Sequence, residues 1–119
     1  MSMKMAVHEK DGVSVVVISG KLTMGEGTSA LRNRIRELAE DGSHRILLNV
    51  ADVTYIDSSA IGELVAAHAT VANAGGDIKL LNLAKRVHDL LKITKLYTVF
   101  EVFEDEASAI RSFAAAKAA

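Results

Sequence analysis

The run Ile46-Leu47-Leu48-Asn49-Val50 is apolar at every position but one. A strand of that kind has no face suited to water, so both faces must be covered. A parallel sheet with helices packed on it meets that need. Beyond the run, Asp57 opens a segment in which Ile61, Leu64, Val65, His68, Val71 and Ala72 recur at helical spacing. Residues 51–55 read as the connection that carries the chain over the sheet edge to Asp57. Strand followed by amphipathic helix is the repeating unit of an α/β fold.

The rest of the chain repeats that alternation. Residues 3–7 predict a short strand, and Asp11-Gly12 is a hairpin turn pair. Residues 13–18 are almost all β-branched and predict the second strand, ended by Gly20. Thr23-Met24-Gly25-Glu26 has capping-box spacing, although its glycine places the secure helix only from Thr28 onward. From there Leu31, Ile35 and Leu38 form the apolar stripe, and Asp41-Gly42-Ser43 stops the helix. Asn73-Ala74-Gly75-Gly76 ends the helix that Asp57 begins. Residues 78–83 predict a buried strand. Residues 84–96 predict a helix with Val87, Leu90, Leu91 and Leu96 inward, and residues 98–103 a last strand. Glu104 or Asp105 opens a final helix with Ala107, Ile110, Phe113 and Ala114 as its stripe, and residues 115–119 prolong it. The order is β-β-α-β-α-β-α-β-α: a single α/β domain over residues 1–119. It has an N-terminal hairpin, a mainly parallel sheet and four helices, joined by right-handed crossovers.

Composition narrows the function. Of 119 residues, 50% are hydrophobic but only 4% aromatic, so aliphatic side chains must fill the core. A formal net charge of -1 supplies no field to attract nucleic acid or an anionic membrane. Cysteine is absent, which removes disulfides, thiolate metal sites and a cysteine nucleophile, and fits a reducing cytoplasm. The first ten residues carry no apolar signal-peptide core. No stretch approaches the roughly 20 apolar residues of a membrane span.

Catalysis, metal binding and nucleotide binding find little purchase. The strained G-x-S-x-G elbow of serine hydrolases is missing. His68 stands about two and a half turns along the same helix from Ser59, too far to take its proton. His8, His44 and His88 are singletons that read as surface residues, and His68 reads as half-buried. No H-E-x-x-H, carboxylate-rich loop or Walker motif occurs, so no metal or cofactor is expected. Gly25, Gly27, Gly75 and Gly76 fit turns and caps. Arg32, Arg34 and Arg36 alternate with Glu37 nearby and fit a solvated helix face.

The stretch Tyr55-Ile56-Asp57-Ser58-Ser59-Ala60-Ile61-Gly62 carries more. Asp57 fits an N-cap. Ile56 and Ile61 have the spacing of a hydrophobic staple. Ser58 and Ser59 then occupy the first helical turn, at the positive end of the helix dipole. This turn lies at the carboxyl end of the buried strand, where sites gather in open α/β sheets. Free amides there favour a phosphate.

With its preceding strand, the motif Asp52-Val53-Thr54-Tyr55-Ile56-Asp57-Ser58-Ser59-Ala60-Ile61-Gly62 resembles the STAS domain of bacterial anti-sigma factor antagonists. Gly20-Lys21-Leu22 is similar to the early G-x-L turn of that family. Gly75-Gly76-Asp77 and the strand after it match the next stretch, so the resemblance runs over nearly the whole chain. It implies an α/β domain that binds an anti-sigma factor with serine kinase activity and thereby frees a sigma factor. The kinase would phosphorylate Ser58 and be released, and a phosphatase would reset the switch. Thr23, Asp57, Ser59, Ala60 and Gly62 are the implied partner-binding residues, in an interface that combines the loop Leu22 to Gly25, the turn Asp57 to Gly62 and the exposed face of the following helix. Two positions depart from the family. Ala60 stands where glycine is usual, and its methyl is expected to obstruct a close-approaching partner. Thr23 stands where aspartate is frequent; if that aspartate pairs with a basic residue on the kinase, the pair is missing here. Three alternatives are a structural STAS subunit of a lipid transporter or signalling complex, an aspartate-phosphorylated receiver domain, and a hydrolase. The receiver lacks an acidic cluster for magnesium.

Overall fold

The computed structural model describes residues 3–95 and 99–118. β1 (Met3–Lys10) and β2 (Val13–Leu22) form the expected hairpin. Its turn places Asp11 at φ 53 and Gly12 at φ 79. Both central residues are left-handed, as a tight hairpin matched to strand twist requires. The chain then runs through α1 (Glu26–Glu40), β3 (Arg45–Ile56), α2 (Ser58–Asn73), β4 (Asp77–Leu81), α3 (Lys85–Ile93), β5 (Val102–Phe103) and α4 (Glu106–Ala118). Among the described residues the sheet has five strands in the order β1-β2-β3-β4-β5, antiparallel in the hairpin and parallel thereafter.

Both faces of the middle strands are buried, as the apolar run of β3 demands. Ile46, Leu48 and Val50 join Val16, Ile18, Leu31, Ile35, Ile61, Leu64, Val87 and Leu91 in the main core, under α1, α2 and α3. Leu47 points the other way, into a second cluster with Val13, Val15, Leu81, Ala109, Ile110 and Phe113 under α4. That second layer also holds Lys79, 1% exposed. Its Nζ donates to Ser112 Oγ at 2.8 Å and lies 4.6 Å from the centre of the Phe113 ring. Glu101, at 3.4 Å, is its nearer carboxylate. A buried ammonium is tolerable only when paired and hydrogen-bonded, and Lys79 is both.

Several boundaries differ from expectation. β1 continues to Lys10, and β2 runs past Gly20 to Leu22. β3 does not end at Val50: residues 51–55 are strand, not a connection over the edge. They pair with the end of β2, as in Lys21↔Tyr55 and Leu22↔Ile56, across two register shifts that blur any alternation in the sequence. α1 begins at Glu26 rather than Thr28, with Gly25 at φ 103. Thr28 Oγ1 accepts from the Gly25 amide at 3.1 Å, so the box is closed from Thr28 and not by Thr23 and Glu26. On α2, Ala67 replaces the expected Ala72, which is exposed. On α4 the buried stripe is Ala109, Ile110 and Phe113, while Ala107 and Ala114 are exposed. α3 ends at Ile93, and among the described residues of the last expected strand only Val102–Phe103 are strand. Leu96, Thr98 and Ala119 lie outside the described residues. Gly76 has a packing reason beyond its turn: a Cβ there would meet His44 O at 2.4 Å, where β4 starts beside β3.

Candidate functional site

β2 and β3 extend together beyond the end of β4, and their tips carry two helix starts side by side. Leu22, 0% exposed, and Ile56, 7% exposed, pin the two tips into the main core. From Leu22 the chain crosses residues 23–25 into α1. From Ile56 it passes through Asp57 alone into α2.

Asp57 is extended, at φ -113 and ψ 175, and caps α2 as expected. Its Oδ1 accepts from the Ala60 amide at 2.9 Å. Its Oδ2 accepts from the Met24 amide at 3.0 Å. One carboxylate thus satisfies a first-turn donor of its own helix and holds the neighbouring loop. Ile56 and Ile61 lie in the same core cluster, where a staple would put them. The loop has further ties of its own. Thr23, half-buried, accepts from the Thr28 amide through its carbonyl at 3.2 Å.

The sequence-selected residues separate by exposure. Ser58, the first residue of α2, is exposed, and Ser59 is half-buried. Gly62 is exposed, and a Cβ built there would meet nothing within 4 Å. Ala60 is different: it is 0% exposed and belongs to the core cluster. The expectation that its methyl obstructs a partner is therefore corrected. Successive helical positions turn by about 100°, so with Ser58 outward the third residue of the helix faces in. Ala60 presents no side chain to a partner, and its amide is already taken by Asp57.

The helices flanking the site are joined by an ion pair that the sequence did not suggest. Arg32 Nη2 of α1 lies 2.7 Å from Glu63 Oε1 of α2. Hydrogen bonding to Glu63, then its charge, raises the Arg32 guanidinium above its ordinary range. Arg34 pairs with Glu37 along α1, at 3.3 Å, as a solvated face allows. Met24 belongs to the 22–25 loop expected in the interface. It is 72% exposed beside Asp57.

The remaining candidates stand apart from Ser58. His68 is half-buried with its ring edge-on to Phe100, centroids 5.4 Å apart. His8 and His44 are exposed, and His88 is half-buried. Among the described residues, no three His, Asp or Glu side chains gather as a metal site would require. Nor, among the described residues, is any helix long and apolar enough to cross a membrane. An open cavity of about 770 Å³ lies beyond β4 and β5, walled by Asn82, His88, Phe103, Glu104, Asp105 and Ser108 among others; Ser58 is not in its wall.

Comparison with known proteins places this geometry. The family model described as "STAS domain" matches residues 4–109. The anti-sigma-B factor antagonist of Bacillus subtilis is 32% identical over 103 residues, which are 86% of this chain and 92% of the relative. The crystal structure of an anti-sigma factor antagonist from Mycobacterium paratuberculosis superposes with a TM-score of 0.80 at 21% identity, covering 94% of each chain. The phosphorylated form of the Bacillus cell fate determinant SpoIIAA superposes with a TM-score of 0.72 at 18% identity, over 92% of this chain and 98% of that one. At such identities the two structural likenesses speak for the fold alone.

Proposed function

The chain belongs to the STAS domain family, and we propose that it is an anti-sigma factor antagonist switched by phosphorylation of Ser58. In the unmodified form it binds an anti-sigma factor with serine kinase activity in the cytoplasm and so frees a sigma factor. Phosphorylation of Ser58 releases the partner, and a phosphatase restores the hydroxyl. The protein is a substrate and a switch, not a catalyst. It touches no nucleic acid directly, and it needs no cofactor.

The observation that carries this is the placement of Ser58: exposed, first in α2, beside a carboxylate whose two oxygens are already engaged. An exposed hydroxyl can enter a kinase active site without unfolding its helix. The phosphate adds about 1.5 to 2 negative charges. The helix dipole favours that charge, and Asp57 opposes it at screened strength. These local terms offset each other, so the effect falls on the bound partner through bulk and desolvation. Ser59, Gly62 and Thr23 lie on or beside the same turn and form the rest of the partner surface. With its methyl buried, Ala60 does not stand between Ser58 and a partner.

The test is incubation with the cognate kinase and ATP, read by intact mass, with Ser58→Ala as the control. One added phosphate on wild type and none on the variant is expected. Equal labelling of both proteins would overturn the assignment of Ser58.

A further inference from the structure

Three large apolar side chains are exposed among the described residues: Met24 at 72%, Tyr55 at 43% and Ile93 at 76%. Ile93 ends α3. The other two flank the phosphoacceptor turn. Tyr55 lies two residues before Asp57 at the tip of β3, and Met24 is bonded to Asp57 through its amide.

Met24 is held in place more firmly than an exposed loop residue needs to be. Before it, Leu22 is buried and paired in the sheet with Ile56. After it, Gly25 is tied to Thr28 by a bond in each direction between amide, hydroxyl and carbonyl. Between these points, Asp57 holds the Met24 amide across 33 positions of sequence. The backbone is thus fixed while the thioether side chain stands in water. A pre-ordered loop loses less freedom when a partner binds it. An apolar anchor in a polar rim is the arrangement of an interface hot spot. The rim here is Lys21, Glu26 and Ser58, all exposed.

We infer that Met24 is the apolar anchor of the partner-binding surface, inserting into a nonpolar pocket of the anti-sigma factor beside the site that receives Ser58. This inference rests on the antagonist function proposed above. Asp57 acts as the positioning residue that sets where the anchor stands. The occupant is a folded protein with a single side-chain pocket. One methionine and one tyrosine between charged residues make a point contact, too small and too polar a patch for a lipid surface. Methionine suits such a pocket because its unbranched chain adapts to irregular walls. A phosphate on Ser58 then places charge in the rim that must exclude water around the anchor, which links the switch to the loss of affinity.

The experiment uses the full chain and the pure anti-sigma factor recovered with it from its own host. Met24→Ala should weaken binding by at least about tenfold, the loss expected of a truncated hot spot. Met24→Leu should bind within about threefold of wild type, because volume and apolarity persist. Ile93→Ala should bind as wild type does. If wild type recovers no anti-sigma factor, the antagonist function falls and this inference with it. If wild type binds and Ser58→Asp releases the partner, but Met24→Ala loses less than tenfold, the inference about Met24 alone is overturned. A concentration-dependent wild-type dimer that Met24→Ala abolishes would assign the side chain to a second copy and overturn it equally.

Discussion

α2 and α4 both begin on an aspartate. Asp57 accepts from the Ala60 amide at 2.9 Å, and Asp105 accepts from the Ser108 amide at 2.8 Å. Beyond that bond the two starts diverge. The residue after Asp105 is Glu106, which reaches Lys10 at 3.7 Å. The residue after Asp57 is Ser58, exposed. The Asp105 bonds stay within its own helix, while Asp57 spends its second oxygen on Met24 of the neighbouring loop. The contrast separates capping, which any aspartate can do, from coupling, which needs the tips of β2 and β3 side by side. If the coupling matters, changes at the α2 start should reach a partner, and the same changes at the α4 start should affect stability alone.

The largest expected effect on partner binding is at Ser58. Ser58→Asp should lower affinity for the anti-sigma factor by about thirtyfold or more, the scale of an unpaired charge forced into an interface. Its circular dichroism spectrum should match that of wild type. Next comes the buried cation that helps hold α4. Lys79→Ala should cost about 2–5 kcal/mol, by opening a cavity under Phe113. Lys79→Met should be neutral or stabilising, because a buried ion is replaced by an apolar side chain of similar length. Urea unfolding of both variants distinguishes them. A loss in Lys79→Met as large as in Lys79→Ala would mean the charge itself holds the helix.

Asp57 itself gives a smaller but sharper comparison. Asp57→Ala should lower stability by about 1 kcal/mol, as loss of an N-cap does. Asp57→Asn retains one acceptor oxygen for the cap, so the Met24 amide should exchange hydrogen about five- to tenfold faster with α2 still protected. Unchanged exchange at Met24 would break the claim of coupling. The smallest effect is at Asp105. Its bonds to the Ser108 amide and hydroxyl hold its carboxyl below the usual range. A lowered folded value means a contribution present above the unfolded carboxyl range and lost as pH falls through the folded value. The stability gap between wild type and Asp105→Ala should therefore close in acid below about pH 4, with no change in partner affinity at neutral pH.

Much of this was legible in the sequence, for physical reasons that can be named. The apolar run of β3 required cover on both faces, and it received it. Asp11-Gly12 supplied the left-handed pair that a hairpin needs. Asp57, Ile56 and Ile61 are a local pattern whose partners lie within one turn, so spacing sufficed to find them. What escaped depends on distant pairing. The last residues of β3 show no alternation, because their partner strand slips register beside them. The loop at Met24 is ordered by a carboxylate 33 residues away. Lys79 in an apolar strand finds Ser112 on a helix that the sequence does not place beside it. Ala60 looked like a surface departure in the motif, but helix phase turned it inward.

The central claim is that Ser58 is a switch acting on a partner surface, not on the fold. Calorimetric titration of the pure anti-sigma factor with unmodified and Ser58-phosphorylated protein tests it most directly. Strong binding by the unmodified form and at least about thirtyfold weaker binding by the phosphorylated form is the predicted result. Equal affinity of the two forms would contradict it.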